Sequence, residues 1–213
     1  MLLGLGALAY TAWVLEVVLG TGLDPVQTYV SELAAVDQPL GGLFRATDLA
    51  AGVLVLGGAL TGLAVVRPVR AGAVTGWVAL ALFGAATAVD SRLPLSCAPT
   101  ADPECAARET AGLVPATHTA HAISSGLAMT GALTAMLALT AAARRHRARS
   151  PLARTGPALV ALEFAATAWT LAAVAAFEAG RGTWLLGAGQ RLQVLLVAVW
   201  LAVLARTVAR EPR

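Results

Sequence analysis

Apolar residues run almost unbroken along this chain, and its polar positions gather in short clusters between the runs. The stretches Leu49 to Val66, Ala71 to Val89 and Ala122 to Ala143 contain no ionisable side chain. A helix rising 1.5 Å per residue needs about 20 such residues to cross about 30 Å of hydrocarbon. The pattern predicts six spans, at about 2–20, 43–66, 72–90, 116–143, 156–178 and 187–205. Each is expected to be a helix, because lipid offers no partner to an unpaired backbone group and no strand-like alternation is present. The expected fold class is all-α: a polytopic integral membrane bundle forming a single transmembrane domain over residues 1–213. The first span has neither a basic leader nor a small-residue cleavage site, so it reads as a span and not as a signal peptide. Glycines four residues apart, Gly58/Gly62 and Gly72/Gly76, suit close helix packing.

Composition agrees with this pattern. The 213 residues are 58% hydrophobic and 13% charged, about half the charge of a soluble domain. There is no lysine, so the arginines alone carry the topology signal. Arg67 and Arg70 follow span two, Arg144, Arg145, Arg147, Arg149 and Arg154 lie between spans four and five, and Arg206, Arg210 and Arg213 close the chain. Arginine-rich loops stay on the cytoplasmic side, which predicts two cytoplasmic termini and a multi-pass protein of the cell membrane. The net charge of +3 is then accounted for by topology. With no aromatic-basic platform, nucleic acid is not an expected partner, and the bilayer is.

Three connections, about 21–42, 91–115 and 179–186, are expected on the outer side. The second holds both cysteines, in "SCAPTADPECAARE". Cys97 and Cys105 enclose a short loop in an oxidising compartment, so a disulfide that staples the loop is expected. Ionisable and polar groups gather at the same level: Glu16, Glu32, Arg45, Asp48, Asp90, Arg92, His118, His121, Ser125, Glu178, Arg181, Gln190, Arg191 and Gln193. Ionisable groups within spans usually face the bundle interior or a water-filled cavity, so these are expected to line one polar pocket.

The segments "YVSELAAVDQPLGGLFRATDLAAG", "AVDSRLPLSCAPTADPECAARE" and "HTAHAISS" together resemble the actinobacterial branch of a six-span membrane family catalogued as domain of unknown function nine-nine-eight. The resemblance covers nearly the whole chain and implies a six-span fold without naming a reaction. The chain also resembles, more distantly, the small membrane cyclases of actinomycete indole-terpenoid pathways, which would imply a prenyl substrate.

The residues are compatible with several chemistries. Protonation-initiated cyclisation or isomerisation of a prenyl lipid needs a carboxylic acid in a poorly solvated setting, with Asp48 or Asp90 as the acid and Glu32 as its partner. His118 or His121 would return or collect the proton. Arg45, Ser125, Trp77, Trp184 and Gln190 are candidate substrate-binding residues, the tryptophans through cation-π contact. The chain has no DDxxD-type motif for a magnesium diphosphate, and no metal or other cofactor is expected. A zinc-dependent lipid hydrolase is the alternative, with His118 and His121 at i, i+3 on one ion and Asp90 or Asp48 as third ligand. A serine hydrolase using Ser124 or Ser125 lacks the usual GxSxG elbow. Transport or membrane assembly is a further alternative, with Glu163 inside span five joining a proton path.

Overall fold

The computed structural model describes residues 1–65 and 71–210. Arg67, Arg70 and Arg213, which carry part of the predicted charge asymmetry, lie outside the described residues. The described chain is helical, without a strand. Its first span begins as α1 (Leu2–Tyr10), tightens into a 3-10 turn at Ala12–Leu15 and ends as α2 (Glu16–Leu19). The remaining spans are α3 (Gly41–Val65), α4 (Ala71–Asp90), α6 (Ala116–His146), α7 (Pro151–Glu178) and α8 (Leu186–Ala209), with a short helix α5 (Pro103–Thr110) in the connection before α6. Six helical segments are long and apolar enough to cross a membrane, so this is a multi-pass membrane protein.

Helix ends depart from the hydropathy boundaries for local reasons. α7 begins at Pro151, ahead of the expected 156, because Ser150 accepts a hydrogen bond from the Ala153 amide and Pro151 occupies the first turn. α6 runs on to His146, beyond the expected 143, with Arg144, Arg145 and His146 in its last turn, where cations offset the helix dipole.

Each span packs against the next in sequence, and α8 closes the ring on α1. Close approaches come from small residues. A Cβ at Gly84 would stand 2.5 Å from the Leu56 amide nitrogen and 2.8 Å from the Gly52 oxygen, so α3 and α4 touch backbone to backbone. At Gly131 of α6 it would meet the Phe83 amide nitrogen of α4 at 2.8 Å. Gly58, Gly62 and Gly76 seat Leu3, Trp77 and Leu139 as the spacing implied, whereas Gly72 meets no neighbour among the described residues.

The apolar core lies toward the end that carries both termini. There Trp77, Leu80, Met136, Leu139, Trp200 and Leu201 are buried together, and Trp200 donates its indole N–H to Thr140 Oγ1 at 3.1 Å. The buried ionisable groups Glu16, Glu32, His118 and Arg191 lie toward the opposite end. That end is roofed by a 3-10 turn at Val30–Ala34 and by the loop that the Cys97–Cys105 disulfide closes, as expected. The two roof pieces meet where the Val36 amide donates to the Leu95 carbonyl at 2.9 Å.

Candidate functional site

Asp90 is the last residue of α4, where the helix dipole disfavours a carboxylate. Two hydroxyls from α6 compensate: Ser124 donates to Oδ1, and Ser125 Oγ lies 3.2 and 3.1 Å from Oδ1 and Oδ2. His121 Nδ1 stands 3.1 Å from Asp90 Oδ1, a contact that makes no hydrogen bond as oriented and would become an ion pair with a protonated ring. Its Nε2 is 3.3 Å from Ser125 Oγ. The small residues of α4 and α6 allow this, because helices whose backbones touch can join short serine side chains to a short aspartate.

Asp48, on α3, is within electrostatic reach of Asp90 and His121, but has no hydrogen bond or ion pair of its own among the described residues. Tyr10 of α1 lies between groups, in electrostatic reach of Asp48, Asp90 and Glu163. Its ring packs edge-on against Phe83, centroids 5.3 Å apart. Glu163 is fully buried on α7, approached by Thr167, which receives a 2.9 Å hydrogen bond from Gln193 of α8. The second carboxyl oxygen of Glu163 has no hydrogen-bond partner among the described residues, which is costly in a poorly solvated interior.

The other expected site residues serve different neighbours. Glu32 is fully buried and accepts from the Thr100 amide at 2.7 Å and the Thr100 hydroxyl at 2.5 Å. Burial pushes its carboxyl up to about 7, although the Thr100 bonds pull in the other direction. Arg45 donates to the carbonyls of Ala34 and Ala35 at 2.7 and 3.2 Å, and Gln190 accepts from the Val30 amide at 2.5 Å. These three therefore hold the roof turn. His118 turns away from His121: its Nδ1 meets the Ser96 amide and hydroxyl at 3.1 and 2.9 Å, and its Nε2 meets Glu109 at 3.3 Å. Trp77 is buried against Gly62 in the core at the terminal end. Trp184 is half-exposed in the turn before α8, donating to the Arg181 carbonyl at 3.2 Å, with the Arg181 guanidinium over its ring.

Thus Asp48, Asp90, His121 and Ser125 come together, and Glu32, Arg45, His118, Gln190, Trp77 and Trp184 do not join them. The zinc alternative needs both histidines on one ion, and they face different partners. Among the described residues no three His, Cys, Asp or Glu side chains are grouped for a metal. Glu16 and Arg191, noted above only by their depth, form a buried ion pair with two contacts of 2.6 Å that ties the end of the first span to α8. Thr100 and Ser96, which hold Glu32 and His118, carry no signal in the sequence that marks them, since each partner is more than twenty residues away.

A family described as "Protein of unknown function (DUF998)" matches residues 5–207. The chain belongs to the DUF998 family. No curated protein and no solved structure matches it. The match covers four spans and both roof pieces entirely and all but the outermost few residues of the first and last spans, so the Asp48, Asp90 and His121 grouping lies wholly within the DUF998 region.

Proposed function

We propose that this DUF998 protein is an integral-membrane enzyme that performs acid-base chemistry on a hydrophobic isoprenoid substrate. The observation that carries the reading is the pairing of two unlike carboxyls beside one imidazole. Asp90 is held by two serine hydroxyls and contacts His121, while Asp48, in electrostatic reach of both, has no hydrogen-bond partner among the described residues. Neighbouring titratable groups in different surroundings divide into acid and base. Asp48 is the acid: its proton adds to an alkene carbon of the substrate, the π pair forms the new C–H bond, and a carbocation results. Further π bonds of the chain close on that cation. His121 then takes a proton from the carbon next to the final cation, the C–H pair becomes the product alkene, and Asp90 stabilises the imidazolium. Proton return from His121 to Asp48 resets the site. The Tyr10 ring, in electrostatic reach of Asp48 and Asp90 and packed edge-on with Phe83, supplies an aromatic group for the cation.

Two further features support an outward-facing site in the cell membrane. A disulfide at this end favours the oxidising side, and the exposed arginines 144, 145, 147 and 149 at the other end favour the cytoplasm. The test is conversion of geranylgeraniol and its terminal epoxide by protein in nanodiscs, with products identified by mass spectrometry. Asp48→Asn should lower the rate by about 10²–10⁴-fold, with partial activity in Asp48→Glu. Full rates in both Asp48→Asn and His121→Ala would end the reading.

A second reading has one observation in its favour. His121 stands between Asp90 on Nδ1 and Ser125 on Nε2, the order of an acyl-transfer triad. The Ser125 hydroxyl, however, is spent on Asp90. Covalent capture of Ser125 by a fluorophosphonate would favour this reading over the first.

A further inference from the structure

Glu163 takes no part in the chemistry proposed above. α7 runs from Pro151 to Glu178, which puts Glu163 about 18 Å from one end and about 22 Å from the other at a rise of 1.5 Å per residue, near the middle of the bilayer. The residue is fully buried. Thr167 Oγ1 lies 3.5 Å from Oε1, and because Gln193 Nε2 donates to that hydroxyl at 2.9 Å, the hydroxyl proton is directed at Glu163. Oε2 has no hydrogen-bond partner among the described residues. No described cation stands against it. On α8, Arg191 is bound to Glu16 and Arg206 lies in the last turn. On α6, His118 and His121 lie near one end and Arg144, Arg145 and His146 at the other, and on α7 itself Arg154 and Glu178 lie near the ends. The titratable side chain in electrostatic reach is Tyr10 of α1, which also reaches Asp48 and Asp90.

We propose that Glu163 is an intramembrane proton-binding site, loaded from the roofed end of the bundle and closed toward the end that carries both termini. A bare carboxylate in this interior would have one long hydrogen bond and no counter-charge, which is costly. A carboxylic acid fits the same neighbours: Oε1 is the carbonyl oxygen that accepts from Thr167, and Oε2 carries the proton. With the side chain fully buried, nothing larger than a proton reaches Oε2 while the helices stay packed, which separates this ligand from a metal ion or a substrate headgroup. α7 enters the apolar core through Leu152, Ala153, Leu159 and Val160, all on the terminal side of Glu163. On the other side Thr167 and Thr170 continue its face of the helix, and the buried Thr170 hydroxyl also has no partner among the described residues. Tyr10, whose hydroxyl has no hydrogen-bond partner among the described residues, connects Glu163 with the Asp48 and Asp90 cluster. In one transfer an O–H or N–H bond breaks in that cluster and an O–H bond forms at Glu163 Oε2, while Tyr10 accepts one proton as it releases another and is unchanged. The site stands apart from the prenyl chemistry and is testable without turnover.

The experiment is infrared spectroscopy of the full chain in nanodiscs, with glutamate carrying carbon-13 at Cδ so that its carboxyl bands separate from those of aspartate. It is run in the Glu32→Gln background, which removes the other fully buried glutamate. A protonated C=O band that moves with the label should be present at neutral pH and disappear when Glu163→Gln is added. Thr167→Val should keep the band and raise its frequency, because the carbonyl oxygen loses its donor, an effect that a mere packing role for Thr167 would not produce. Transfer to heavy water should shift the band, and the shift should be slower by about tenfold or more in Tyr10→Phe, where exchange waits for local opening of the helices. Thermal melting establishes that each variant is folded. A folded protein without the labelled band, or a band that survives Glu163→Gln, would overturn the site. Loss of the band on adding sodium or potassium chloride would put a metal ion in place of the proton and overturn it too. Equal exchange in the parent and Tyr10→Phe would overturn the route.

Discussion

Glu32 and Thr100 join the two long connections at one end of the bundle: both donors of Thr100, backbone and side chain, end on the Glu32 carboxylate across 68 residues of sequence. The carboxyl is fully buried, and burial raises it from an ordinary 4.5 to about 7. Between those two values the folded chain holds a proton that the unfolded chain has released. The stability contribution of Glu32 is therefore fully present below about 4.5 and is lost as pH rises to about 7. The difference in unfolding free energy between the wild type and Glu32→Gln should shrink by a few kcal/mol across that window. Denaturant titrations in detergent at several pH values measure it, and a difference that grows with pH would contradict the assignment.

The Cys97–Cys105 disulfide closes a loop with a sequence separation of 8, and Thr100 lies inside that loop. Replacing both cysteines by alanine should cost about 2–3 kcal/mol through the freed chain of the unfolded state. Because the loop carries the donors for Glu32, faster amide exchange should appear at residues 30–36 as well as at 96–105. Exchange confined to the cysteine loop would mean that the roof turn is held without it.

Arg191 donates to both oxygens of Glu16 and also to the carbonyls of Thr28 and Gly187. Both side chains are nearly inaccessible, at 8% and 4%, so truncating one leaves an uncompensated charge. Glu16→Ala and Arg191→Ala should each destabilise by about 3–5 kcal/mol, and the double variant by less than their sum. A strictly additive double variant would show that the pair is not coupled.

At Gly84 the limiting contact is backbone against backbone, so a neighbouring side chain cannot move aside to make room. Gly84→Val should force α3 from α4 and cost about 1–3 kcal/mol or more. The same change at Gly72, which meets no other described residue, should leave the melting temperature within a degree or two. Thermal unfolding of the two variants side by side makes the comparison.

The existence of six helices was legible because each span must be apolar enough to lie in lipid, and that demand is written residue by residue. Helix starts were less so where a cap overrides hydropathy. "RSPLART" contains the Ser150–Pro151 start of α7, yet its apolar run begins several residues later. The disulfide was also accessible, since the chain has two cysteines and a short loop joins them.

The grouping at the candidate site was only half accessible. His118, His121 and Ser125 recur at helical spacing, which places them on neighbouring parts of one face and no more. The fold sends His118 to Ser96 and Glu109, and His121 to Asp90, because the loop between α4 and α6 folds back over the first histidine while α4 itself passes the second. Arg45 and Gln190 share a level with the site residues in the sequence pattern, but level along a helix cannot distinguish a residue that lines a space from one that braces the roof above it. The sequence by itself determined what each residue needs from its medium: lipid, water or a polar partner. Which partner it receives was decided by tertiary structure, since the ring that closes α8 on α1 sets which helix faces meet, and hydrogen bonds between residues far apart in sequence depend on that closure alone.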